Sequence, residues 1–123
     1  MLPIGYGVFL ALVEALNGTG HLGARPLVGM LGLEDDFSRV VPGGVGPETT
    51  QALRHVERIL KACGASLSDI VKVSVYMTDL GQWDAMNEAY LAVLGEKTPA
   101  RITVGCASLL FGASVELDCI AYR

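Results

Sequence analysis

Between Ser114 and Tyr122 apolar and polar residues alternate. The spacing predicts a half-buried strand with Val115, Leu117, Cys119 and Ala121 on one face and Glu116, Asp118, Ile120 and Tyr122 on the other. Ile70 to Thr78 alternates in the same way, setting Val71, Val73, Val75 and Met77 against Lys72, Ser74, Tyr76 and Thr78, and reads as a central strand. Two stretches switch to helical spacing. After Pro47, which suits a first helical turn, Ala52, Leu53, Val56, Ile59, Leu60 and Cys63 form an apolar stripe that Gly64 can cap. Trp83, Met86, Tyr90, Val93 and Leu94 form a second stripe, opened by Asp79-Leu-Gly-Gln82 in the form of a capping box and closed at Gly95. Aromatic residues at this spacing are core residues in most helices, so Trp83 and Tyr90 are expected to pack on the sheet.

The first third is less decided. Val8 to Leu16 fits either a turn or two of helix or a bent strand, Asn17-Gly-Thr-Gly20 is a hairpin-turn signal, and Leu27 to Leu33 reads as a glycine-interrupted strand. Glu34 to Gly46 reads as an exposed connection. The order is therefore strands, helix, strand, helix, two strands. One mixed sheet with both helices on one face is the economical α+β arrangement, and it leaves the other face needing cover.

Composition bears on that cover. The chain has 123 residues, enough for one domain, and is 51% hydrophobic but only 18% charged. No apolar run reaches the roughly 18 residues of a membrane span, so the apolar surplus points to a subunit interface. A net charge of -4 makes nucleic acid a poor partner. Cys63, Cys106 and Cys119 are odd in number and show no metal-binding spacing. They read as reduced core residues of a cytoplasmic or organellar protein, and the N-terminus carries no secretion-signal pattern.

No GxGxxG is followed by a suitably placed acid, and Walker loops, HExxH and GxSxG are missing from the sequence. His55, beside Arg54 and off the apolar stripe, reads as a surface residue, and His21 falls in a turn. What remains is Arg101 with Glu116 and Asp118. Pro99 biases its successors toward extended structure, and the short loop Leu109-Leu-Phe-Gly112 suggests that the Arg101 strand folds back antiparallel onto the last one, bringing Arg101 near Glu116. Such a pair suits a small anionic substrate held by the guanidinium fork and worked on by a carboxylate. Glu116 and Asp118 could equally be solvated, or could pair with Lys72, Arg25 or Arg123.

Pro99-Ala-Arg101 followed by Val115-Glu-Leu-Asp-Cys-Ile-Ala121 resembles the C-terminal signature of the RidA family, also called YjgF or L-PSP. The resemblance runs back through Asn87-Glu-Ala-Tyr90 and Asp69 to Leu80 to the helix after Pro42-Gly-Gly44. It implies a single domain over residues 1–123 with a chorismate-mutase-like fold, a homotrimer with sites in the clefts between subunits, and no cofactor. It also implies hydrolytic deamination of reactive 2-imino and enamine acids to 2-keto acids and ammonia. Carried over by position, Arg101 would hold the substrate carboxylate, and Glu116 would orient or activate water. Thr103 (through its backbone N–H), Gly29 and Tyr6 would complete the binding site. Residues 1–40 depart from the family pattern: Gly7-Val8 follows Ile4-Gly-Tyr6 where the family has Ser-Gln, and Val28-Gly-Met30 stands where Ser-Gly-Gln is typical. The alternatives are a trimeric carboxylate-binding protein without turnover and, third, the endoribonuclease or translation-inhibitor role linked to some relatives.

Overall fold

The computed structural model describes residues 9–16 and 22–122, the strands up to residue 27 by backbone alone. Five strands form one mixed sheet in the order β1-β2-β5-β3-β4. β1 (Phe9–Leu16) pairs antiparallel with β2 (Leu22–Leu31), so the undecided segment is a strand; the turn signal between them lies outside the described residues.

β2 leads through a turn to helix α1 (Val45–Ala62). Ala52, Leu53, Val56 and Leu60 are fully buried against the sheet, as their spacing requires. Gly64 takes positive φ (77°), and the bonds Gly64 N–H to Lys61 C=O and Ala65 N–H to Leu60 C=O complete a Schellman stop. A side chain at Gly32 would overlap the Glu48 backbone, so glycine there lets the end of β2 and the first turn of α1 touch. The buried Glu48 carboxylate accepts from Ser114 N–H at 2.7 Å, which pins that turn to the start of β5.

β3 (Ile70–Met77) is central, and helix α2 (Trp83–Leu94) then returns the chain to β4 (Ala100–Gly105), parallel to β3 at the sheet edge. Ahead of α2, the Asp79 carboxylate accepts from Gly81 N–H at 2.9 Å. β5 (Val115–Ala121) lies between β2 and β3, antiparallel to both. The predicted antiparallel pairing of the Arg101 strand with β5 is therefore wrong. A strand reached through a helix pairs parallel with the strand before that helix, and β5 has its two neighbours elsewhere.

Alternation on β5 holds throughout: Val115, Leu117, Cys119 and Ala121 are buried under the helices. On β3 it holds from Val73 onward. A register shift between Ile70 and Lys72 buries Ile70 and exposes Val71. Met86 and Tyr90 of α2 join the same core. Trp83, expected there too, is 39% exposed. No helix among the described residues is long and apolar enough to cross a membrane.

His55 also differs from expectation, being only 2% exposed. The turn after β2 folds over α1 and stacks the Phe37 ring on the imidazole, with centroids 5.1 Å apart. His55 Nε2 lies 2.7 Å from the Leu33 carbonyl and so donates to it. Nδ1 is left to accept from Arg58, which also pairs with Asp35 at 3.1 Å. Burial, with Arg58 beside the ring, holds its pKa below the usual histidine range, against the opposing pull of the Leu33 bond and Asp35.

Candidate active site

Arg101 stands beside Val73 in the β3–β4 register, which places it on the helix-bearing face at the open edge of the sheet. There α2 presents Trp83, Asn87 and Tyr90, at positions i, i+4 and i+7 of one stripe. Arg101 Nη1 donates to Asn87 Oδ1 at 2.8 Å. The guanidinium carbon lies 4.6 Å from the Tyr90 ring centroid and 5.5 Å from that of Trp83. Each aromatic contact contributes about 0.5–2 kcal/mol, depending on how dry it is. Arg101 is half-buried and has no carboxylate partner among the described residues. A charge held this way, with its remaining N–H groups unmatched among the described residues, favours an incoming anion.

Thr103 lies two residues on and on the same face, beside Val75. Because β4 is the last strand in the order, its outer edge faces no strand among the described residues.

Glu116 and Asp118 occupy the opposite face. Glu116 stands beside Tyr76 on one side and Leu31 on the other, and Asp118 beside Ser74 and Gly29. Burial raises the Glu116 pKa, and the Asp118 charge adds to the shift. Asp118 is raised by burial too, with Lys72 opposing. Exposed Ile102, Val104 and Ile120 surround the two acids on this face.

The predicted site residues therefore fall into two groups. Arg101 and Thr103 share the helix face at the β4 edge, while Glu116 shares the open face with Asp118, beside Gly29. Two strand spacings, about 10 Å, and the thickness of the sheet separate Arg101 from Glu116 within one chain. Tyr6 lies outside the described residues. Sequence reasoning missed Trp83 and Asn87 as partners of Arg101, although a polar Asn87 within an apolar helix stripe was the available signal.

Among the other titratable groups here, the Tyr90 hydroxyl is buried without a hydrogen-bond partner among the described residues. Burial pushes its pKa up to about 12, against the pull of Arg101. Burial pushes the Cys119 thiol up to about 12 as well, which leaves it unreactive. Cys63 and Cys106 are free and half-buried, and so are less enclosed than core residues.

Comparison with known proteins places this arrangement. The family model described as Endoribonuclease L-PSP matches residues 23–123. The 2-iminobutanoate/2-iminopropanoate deaminase of Mus musculus is 37% identical over 95 residues, covering 77% of this chain and 70% of the relative. Among solved structures, RidA from an Antarctic Psychrobacter is similar with a TM-score of 0.82 and 30% identity, over 98% of this chain and 93% of that one. E. coli TdcF with bound serine superposes with a TM-score of 0.73 at 27% identity, over 80% of each chain. By its matched length and by these relatives, the chain belongs to the Endoribonuclease L-PSP family, the group also known as RidA or YjgF.

Proposed function

We propose that this protein hydrolyses reactive 2-imino and enamine acids to 2-keto acids and ammonia, in clefts between the subunits of a homotrimer. The observation that carries the reading is the half-buried Arg101 guanidinium, fixed by α2 and free of any carboxylate among the described residues. A 2-imino acid supplies the missing carboxylate. The name of the mouse relative, an iminobutanoate/iminopropanoate deaminase, supports the substrate class. The serine held by TdcF supports a ligand of amino-acid size.

In this mechanism Arg101 binds the substrate carboxylate through N–H groups not used by Asn87, and the Thr103 backbone N–H assists. Gly29 of β2 belongs to a second wall of the cleft, and Tyr6, outside the described residues, keeps the binding role that the family resemblance implies. Ionised Glu116 takes a proton from water as the oxygen adds to the imine carbon, whose nitrogen is protonated. Glu116 returns that proton to the nitrogen of the resulting carbinolamine, which leaves as ammonia while the hydroxyl proton passes to solvent and the carbon–oxygen bond becomes the carbonyl of the keto acid. An enamine first takes a proton at carbon to become the imine. The electrophile is already reactive, so positioning and one proton-transfer group suffice. Arg101 and Glu116 lie on opposite faces of one sheet, so the mechanism requires Glu116 from a second copy. The exposed apolar residues around Glu116 support burial of that face in an assembly.

The test is keto-acid release when purified protein is added to an amino-acid dehydratase or oxidase. Acceleration is expected, and Arg101→Ala should lower kcat/KM by roughly a hundredfold, since a charge-assisted hydrogen bond contributes about 1.5–3 kcal/mol. No acceleration with any imino acid tried would remove the catalytic reading. Arg101-dependent thermal stabilisation by carboxylates without turnover would instead favour a binding protein.

A further inference from the structure

Resting on that reading of Arg101, we infer that Asn87 and Trp83 are positioning residues that hold the guanidinium in one pose without neutralising it, so that it stays open to the substrate carboxylate. Asn87 gives Arg101 an amide oxygen at 2.8 Å, an acceptor with no net charge. Asp84 and Glu88 flank this stripe on α2, yet both are exposed and neither pairs with Arg101. An acid at residue 87 would sit where the amide oxygen now does and would satisfy the arginine internally. Trp83 and Tyr90 restrict the guanidinium plane further through their ring faces, which attract the cation but take none of its N–H groups. Together these contacts limit the rotamer freedom of a long side chain before substrate arrives, which lowers the entropic cost of binding.

Trp83 is the sole tryptophan of the chain, so its fluorescence reports on this site alone. The experiment titrates the full-length protein with 2-oxobutanoate, an unreactive product-like carboxylate, following Trp83 emission and, for Trp83 variants, calorimetric heat. Wild type should give a saturable signal. Asn87→Asp should weaken binding at least tenfold and raise KM with kcat little changed, while its thermal midpoint holds or rises because the new carboxylate pairs with Arg101. A side chain that only supports the fold would lose binding and stability together. Trp83→Phe should bind within about threefold of wild type, as ring faces of both kinds attract the cation, and Trp83→Ala should bind more weakly than either. Asn87→Asp binding 2-oxobutanoate as tightly as wild type would overturn the inference and leave the carboxylate site standing. Loss of binding that tracks a fall in thermal midpoint would reduce Asn87 to a structural residue. Wild type that fails to bind the probe would take down the carboxylate reading of Arg101 and this inference with it.

Discussion

The two faces of the sheet hold the two halves of the proposed chemistry in different surroundings. On the helix face, Arg101 is finished within one chain: α2 supplies an acceptor and two ring faces, and what is missing is an anion. On the open face, Glu116 lies half-buried on a strand surface where Ile102 remains 51% exposed and Ile120 38% exposed. In the proposed assembly that surface is covered by a second copy. Under the proposed mechanism, binding geometry is encoded in a local helix–strand contact, whereas proton transfer depends on a second copy meeting the cleft.

The largest effect expected from breaking this comparison is at Glu116. Glu116→Gln keeps the shape and removes the proton acceptor, so kcat should fall by roughly a hundredfold or more while binding of 2-oxobutanoate persists. The same change should alter stability with a definite sign. The folded-state pKa of Glu116 is raised by burial, so the folded chain holds its proton more tightly than the unfolded chain. The contribution is present at pH below the unfolded value of about 4.5 and is lost as pH rises through the folded value. Relative to wild type, Glu116→Gln should therefore be stabilised at neutral pH and should lose that advantage in acid, as melting curves across pH would reveal. Equal midpoints at every pH would mean that Glu116 is solvated in both states.

A change at the centre of the open face should have the next largest effect. In a single chain Ile102 is exposed, so Ile102→Asp should leave secondary structure and monomer stability near wild type. In an assembly it would forfeit about 1.5–3 kcal/mol of apolar burial per copy and bury a charge as well. Sedimentation should then give a smaller species with little deaminase activity. An unchanged sedimentation coefficient would indicate that the face is not an interface.

Much of the fold was legible because period-two and period-3.6 patterns record which face is buried. Val115 to Ala121 and Ala52 to Leu60 lie where their spacing puts them. Strand pairing was not legible in the same way. The short Leu109–Gly112 loop suggested a hairpin, whereas the strand–helix–strand sequence from β3 to β4 is what dictates parallel pairing. His55 was misread because its cover, Phe37, comes from a turn far along the chain. Of the candidate site, the division of Arg101 and Glu116 between two faces was not legible, since that depends on the position of β5 inside the sheet.

His55 supplies a smaller effect, distinguishable from that of Glu116 by its sign. Its folded pKa is depressed by burial, so its contribution to stability is present above the unfolded value of about 6.5 and is lost as pH falls through the folded value. The groups facing the ring are Arg58, Asp35, Gln51 and the Leu33 carbonyl, with Phe37 stacked on it. His55→Gln retains a donor for Leu33 and cannot titrate, so its thermal midpoint should change less than that of wild type between neutral pH and pH 5. An identical slope would place the acid sensitivity elsewhere.

The smallest effect is expected at Tyr90, and it tests what the helix face contributes to Arg101. The Tyr90 ring lies under the guanidinium, while its hydroxyl is buried without a partner among the described residues. With its pKa pushed up to about 12 by burial, the phenol stays protonated at working pH. If α2 acts on Arg101 through ring faces and the Asn87 amide, the hydroxyl is dispensable. Tyr90→Phe should keep kcat/KM within about twofold and hold or raise stability, since an unpaired buried hydroxyl costs about 1–3 kcal/mol of desolvation. Tyr90→Leu removes the π face while filling most of the volume, and should weaken 2-oxobutanoate binding by a few fold. If Tyr90→Phe were instead the damaging change, the hydroxyl would have a partner in the assembled protein. The helix face would then be as incomplete in a single chain as the open one.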